Sequence, residues 1–436
     1  MTNGVVAGLR PRDRQALIQS LSTGVVPKIG LQHIQVGRVR EVEALMIDIG
    51  AIADGGAAVR FVIGEYGAGK TFFLNLIRLI ALEKRLVTIH ADLGPDRRLH
   101  ASGGQAKSLY SETIRNMATR NKPDGGGLTN VLERFLSEAA ETSRKNGTPV
   151  GDIVRQRLAR IRELVGGFDF AEVIAAYWSG SESGNDELCT NAMRWLRGEF
   201  ATRTDARAAL GIRTFVDDTN VYDHWKLMAE FVRLAGYAGL FVVLDEMVNL
   251  YKLQNAQARN SNYEQLLRIV NDALQGSASG IGFVFAGTPD FLLDSRRGVY
   301  SYPALQSRLQ ENIFAQDGAV DLSGPIIRLQ SLTPEDLHVL LEKVRLVFAN
   351  GDQSKFLVPD DALPAFMAHC DQRIGNAYFR TPRTVVKAFV QLLSILEQNP
   401  SFNWRDLLLK VEPEPDRRQE TNAIGPDDDE LSSFRL

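Results

Sequence analysis

The stretch from Val59 to Leu74 leaves this chain few folds to choose from. The apolar run Val59, Phe61, Val62 and Ile63 breaks into Gly64-Glu65-Tyr66-Gly67-Ala68-Gly69 and then enters Lys70-Thr71-Phe72-Phe73-Leu74, a helical pattern. Gly64, Gly67 and Gly69 free the backbone to curl, so that successive N–H groups point at the oxygens of a bound phosphate. Lys70 reaches the β and γ phosphates, and Thr71 offers its hydroxyl to Mg²⁺. Strand, glycine loop and helix follow one another without a gap. This order predicts an α/β domain with a parallel sheet and a P-loop at its heart.

A second signal is Leu240-Phe241-Val242-Val243-Leu244-Asp245-Glu246, whose Asp245 stands 175 positions after Lys70. Its apolar residues predict a strand buried on both faces, and the strand ends in two carboxylates. Behind a P-loop, Asp245 is expected to hold the Mg²⁺ shell and Glu246 to polarise the water that attacks the γ phosphate. Gly280 to Gly287 predicts a further buried strand with Thr288 just past its end. Thr288 is either a reporter on the γ phosphate or a plain strand cap. Leu305-Gln306-Ser307-Arg308-Leu309 places Arg308 near the end of a helical stretch, as an arginine for transition-state charge or as a surface residue.

The rest of the chain fits around these signals. Helical spacing marks residues 11–22, stopped by Gly24 and Pro27, and an extended piece leads to Val36-Gly37-Arg38. Arg40 to Ile49 reads as an amphipathic helix with Val42, Leu45, Met46 and Ile49 on one side. Leu86 to Asp92 reads as a second buried strand. From about 95 to 222 the pattern is nearly all helical, with breaks at 123–127, 146–149 and 179–185, a helical module inserted into the sheet. Within it Arg155, Arg157, Arg160 and Arg162 are either phosphate contacts or a solvated helix face. Thr333-Pro334-Glu335-Asp336 starts a helical run reaching about residue 410. The acidic, proline-bearing segment 411–436 reads as a tail. The expected units are therefore 1–35, a P-loop core 36–332 with its insertion, a helical lid 333–410 and the tail.

Composition narrows the function classes. With 436 residues and 44% apolar content, the chain can bury a large core. Its 50 basic and 53 acidic residues do not advertise a nucleic-acid surface. Cys189 and Cys370 lack the spacing of a zinc site or a disulfide framework. No segment is apolar over the roughly 20 residues that span a bilayer, so no membrane role and a cytoplasmic location are expected.

The order of P-loop, Asp245-Glu246 strand, Thr288, Arg308 and a downstream helical run resembles the AAA+ ATPases, near the origin-recognition and STAND-type branch. That resemblance implies Thr288 as sensor 1, Arg308 as the arginine finger, and Arg383, or alternatively Arg380, as sensor 2 on an all-helical C-terminal lid. Val36, Gly37 and Arg38 are either the Val-Gly-Arg step that folds over the adenine in many P-loop ATPases or an ordinary turn. More narrowly, Gly24 to Arg38, Gly64 to Thr71, the Arg380-Thr381-Pro382-Arg383 step and the acidic tail together resemble the BrxD family of ATP-binding proteins from bacterial BREX phage-defence systems. Membership there implies an ATP- and Mg²⁺-dependent ATPase, a homo-oligomer, and a partner helicase acting with it on DNA. Two rival readings are an ATP-switched scaffold with incidental turnover and an origin-recognition-type DNA loader.

Overall fold

The structure, a computed structural model, describes residues 9–312, 314, 321–374 and 381–410. Arg380 and the tail 411–436 lie outside the described residues. In chain order, α1 (Pro11–Thr23), α2 (Leu31–Ile34) and α3 (Val39–Ala53) lead to β1 (Ala57–Gly64), α4 (Lys70–Glu83) and β2 (Val87–Asp92). Seven helices then precede β3 (Leu240–Asp245): α5 (Gln105–Arg115), α6 (Leu128–Asn146), α7 (Val150–Arg162), α8 (Gly167–Ser183), α9 (Asp186–Leu196), α10 (Arg203–Leu210) and α11 (Val221–Leu234). After β3 come α12 (Val248–Tyr251), α13 (Ala256–Leu274), β4 (Ile281–Gly287), α14 (Pro289–Leu293), α15 (Pro303–Leu309) and β5 (Ile326–Leu329). The described chain closes with α16 (Pro334–Phe348), α17 (Ala362–Ile374), α18 (Pro382–Gln398) and α19 (Trp404–Lys410).

The strands form one five-stranded parallel sheet in the order β2-β3-β4-β1-β5, an α/β arrangement consistent with a P-loop NTPase. Every residue of β3 and β4 is buried. Covered on both faces, such strands have no need of polar alternation, which is why they read as unbroken apolar runs. The β2–β3 ladder sets Val87 opposite Leu240 and ends with Asp92 opposite Asp245.

Two compact units divide the described chain. One gathers residues 9–42, 63–77 and 328–410 around Leu17, Leu341, Phe366, Phe389 and Leu393. The Phe366 and Phe389 rings lie 5.2 Å apart there. Local chemistry fixes its helix ends: Gly24 terminates α1 in the left-handed region at φ 73, and Thr333 with Asp336 closes a reciprocal capping box on α16.

The other unit holds residues 43–62 and 78–327. Its helices bury Trp195, Trp225, Phe135, Phe170 and Phe231. Two of the large side chains carried inward keep partners for their polar ends: Tyr110 Oη donates to the Leu196 carbonyl at 2.9 Å and Trp225 Nε1 to Thr113 Oγ1 at 3.1 Å. On α7 each arginine meets a carboxylate: Arg155 with Asp152 at 2.6 Å, Arg157 with Glu138 at 3.7 Å, Arg160 with Glu230 at 3.1 Å, and Arg162 with Glu172 at 2.6 Å.

Local expectations need correction in three places. Leu31 to Ile34 is a short helix, α2, rather than extended chain. Met46 is exposed, because the buried side of α3 is Ala44, Leu45, Ile49 and Ile52. The break expected at 179–185 narrows to Gly184 and Asn185, since α8 continues through Ser183. Gly180 does not interrupt the helix; it lets α9 approach, and a Cβ there would stand 2.8 Å from Cys189 Sγ and 3.0 Å from the Asn185 carbonyl. No helix among the described residues is long and apolar enough to cross a membrane.

Candidate nucleotide site

The glycine loop leaves β1 at Gly64, a residue for which a side chain has no room: a Cβ would come within 2.9 Å of the Leu329 carbonyl oxygen. Gly67 and Gly69 take φ 80 and 81, the left-handed conformation that an L side chain resists by about 1–2 kcal/mol. Between them Ala68 is buried, while Glu65 and Tyr66 face solvent. Lys70 begins α4, and its Nζ donates back to the carbonyls of Gly64 at 2.9 Å and Glu65 at 3.1 Å. An ammonium folded over the mouth of a loop of backbone amides suits an anion. Thr71 follows, exposed, in the first turn of α4. Phe72 packs partly buried against the apolar core of its unit.

Val36, Gly37 and Arg38 belong to the same unit as the loop. Val36 also packs on that core. Arg38 is one of the few non-glycine residues with a left-handed backbone, φ 60, directly after Gly37 at φ 65. Its Nη2 donates to the carbonyl of Ala68 in the loop and to that of Gln330 at 3.3 Å. The guanidinium lies 6.0 Å from the centre of the Phe73 ring. Burial lowers its pKa, and the fields of Glu41 and Asp336 offset part of that effect.

Arg383 is exposed in the first turn of α18. Its Nε lies 3.2 Å from where a Cβ on Gly24 would sit, so this side chain leans on the end of α1. The residue of this helix start that meets the loop is Thr381: a Cβ built on Gly67 would run into Thr381 Cγ2 and stand 2.7 Å from its Cβ. Two penalties, backbone and steric, therefore oppose a side chain at Gly67. Gly67→Ala is expected to lower stability by about 2 kcal/mol or more in thermal unfolding, and Thr381→Gly in the same protein should return the steric share alone. A Gly67→Ala protein as stable as the parent would refute this packing.

In the second unit β3 delivers Asp245, only 6% exposed, and exposed Glu246. Glu246 has φ 58, and its N–H is held by Asp245 Oδ1 at 2.8 Å. A β-carbon in that region costs about 1–2 kcal/mol, and such outliers concentrate where geometry serves a task. Asp92, at the end of β2, stands in register beside Asp245. It opens to solvent on one side, yet crowding by protein and the Asp245 carboxylate push its pKa up, with Arg97 and Arg78 opposing. Arg78 itself is lowered to about 10 by burial, Asp92 working the other way.

Two sequence candidates are engaged in local structure. Thr288 is the N-cap of α14, its Oγ1 accepting from the Phe291 N–H at 3.4 Å. Arg308, in the last turn of α15, donates to the Asn271 side-chain oxygen and, at 2.8 Å, to the Ala304 carbonyl.

A search of curated proteins returns no match. The family model described as BREX system ATP-binding protein BrxC/D matches residues 9–412. That match takes in the glycine loop, the intervening helices and the acidic strand end alike, so the chain belongs to the BrxC/D family of ATP-binding proteins of the BREX phage-defence system.

Proposed function

We propose that this chain is the BrxD member of its family, a Mg²⁺-dependent ATPase that assembles as a homo-oligomer and works with a helicase on DNA during phage defence. The observation that carries the ATPase part is the loop itself, where left-handed Gly67 and Gly69 frame buried Ala68 and Lys70 Nζ folds onto the carbonyls of Gly64 and Glu65. Family membership supports ATP as the ligand.

Lys70 and the loop amides bind and orient the β and γ phosphates. Glu246 orients the attacking water and takes its proton. The Thr71 hydroxyl and the Asp245 carboxylate are each hard oxygen donors of the type magnesium prefers. When bound, it supplies positive charge against the phosphates. Thr288 and Arg383 report on the γ phosphate from their helix starts. Arg308 serves as the charge-stabilising arginine once it leaves Asn271 and Ala304. In this reading α16 to α19 act as an AAA+ lid over the nucleotide.

The paired arginines of α7 leave DNA engagement to other surfaces or to the helicase. The ATP-switched scaffold is the competing reading, and the carboxylate of Glu246 counts against it, because a pure switch needs no water-activating group. Light-scattering mass of the purified protein, with and without a non-hydrolysable ATP analogue and duplex DNA, tests the assembly. A nucleotide-dependent multimer is expected. A mass equal to one chain under every condition would remove the oligomer from this proposal.

A further inference from the structure

Arg38 joins segments of its unit that lie far apart in the chain. A single guanidinium nitrogen, Nη2, holds two carbonyls far apart in the chain: Ala68 inside the glycine loop, and Gln330, which lies between β5 and the capping residue of α16. The same group lies near Phe73, in the first turn of α4. Beside it, the Asp336 carboxylate of the α16 capping box is 3.5 Å from where a Cβ on Gly37 would sit. All of these residues fall within one compact unit. A left-handed backbone at both Gly37 and Arg38 is kept to bring the side chain there. Its other terminal nitrogen, Nη1, is buried and has no hydrogen-bond partner among the described residues. A cationic donor is thus left open next to a carbonyl of the loop.

We infer that Arg38 is a positioning residue that couples phosphate occupancy of the glycine loop to the start of α16. When the loop amides turn onto phosphate oxygens, the Ala68 carbonyl moves with its peptide plane, and the guanidinium passes that movement to Gln330 and the capping box. Because the driver is the phosphate chain, the coupling needs no base. This inference rests on the loop binding ATP, as proposed above.

Hydrogen exchange on the full chain, with Mg²⁺ and either a slowly hydrolysed ATP analogue or inorganic tripolyphosphate, tests it. In the parent protein both ligands are expected to change exchange over residues 64–74 and over 326–348. In Arg38→Gln, at ligand concentrations that saturate the loop, the change over 64–74 persists and the change over 326–348 is lost. Arg38→Lys should recover part of it, since an ammonium keeps the charge and can donate to two carbonyls from one nitrogen, but lacks the planar guanidinium that lies near Phe73. An Arg38→Gln protein whose 326–348 segment still responds overturns the coupling. So does a parent protein in which ATP alters 326–348 but tripolyphosphate, though bound, does not, because that outcome makes Arg38 a base contact. A parent protein that binds neither ligand, with 64–74 silent as well, takes away the ATP reading and this inference with it.

Discussion

Glu246→Gln is expected to bind ATP as tightly as the parent protein and to hydrolyse it at least about 100-fold more slowly in single-turnover assays, the share a positioned general base usually supplies. The amide preserves size and the ability to hold a water, but it has no carboxylate to accept a proton. Since Glu246 is exposed and its side chain is not needed by the core, folding should be unaffected. Its backbone adds a second readout. With φ 58 a glycine is more comfortable there than a glutamate, so Glu246→Gly should match or exceed the parent in thermal stability while losing hydrolysis equally. Turnover by the glutamine variant at the parent rate would assign the base elsewhere, and Asp92, in register beside Asp245, is the next carboxylate to test.

Lys70→Ala should weaken ATP binding about 100-fold or more in calorimetry. A charge-assisted hydrogen bond contributes roughly 1.5–3 kcal/mol, and an ammonium holding two phosphates makes more than one such bond. Little stability should be lost, because the carbonyls of Gly64 and Glu65 that Lys70 Nζ meets are groups that water can serve. Affinity within about threefold of the parent, a difference of less than about 1 kcal/mol, would mean that phosphates do not sit at this loop.

The sequence made some features legible because their signals are local. An unbroken apolar run must be covered on both sides, so β3 and β4 stand out without help from the rest of the chain. Thr333-Pro334-Glu335-Asp336 announces α16 because all of its capping chemistry lies within one turn. What stayed hidden depends on segments distant in the chain. Asp92 gains its meaning only from the strand register that sets it against Asp245. Thr381 gains its meaning from a glycine more than three hundred positions earlier. Gly180 resembles a helix breaker until α9 is laid against it. Arg308 and Thr288 were legible as residue types in the right order, but their hydrogen bonds to Asn271 and Phe291 leave no trace in composition.

The carboxylate partners of Arg155, Arg157, Arg160 and Arg162 have a thermodynamic consequence for any nucleic acid this protein meets. Cations already balanced by neighbouring acids displace few condensed ions from a polyanion, so α7 should add almost nothing to the slope of log affinity against log salt. Replacing all four with glutamine would leave that slope where it was.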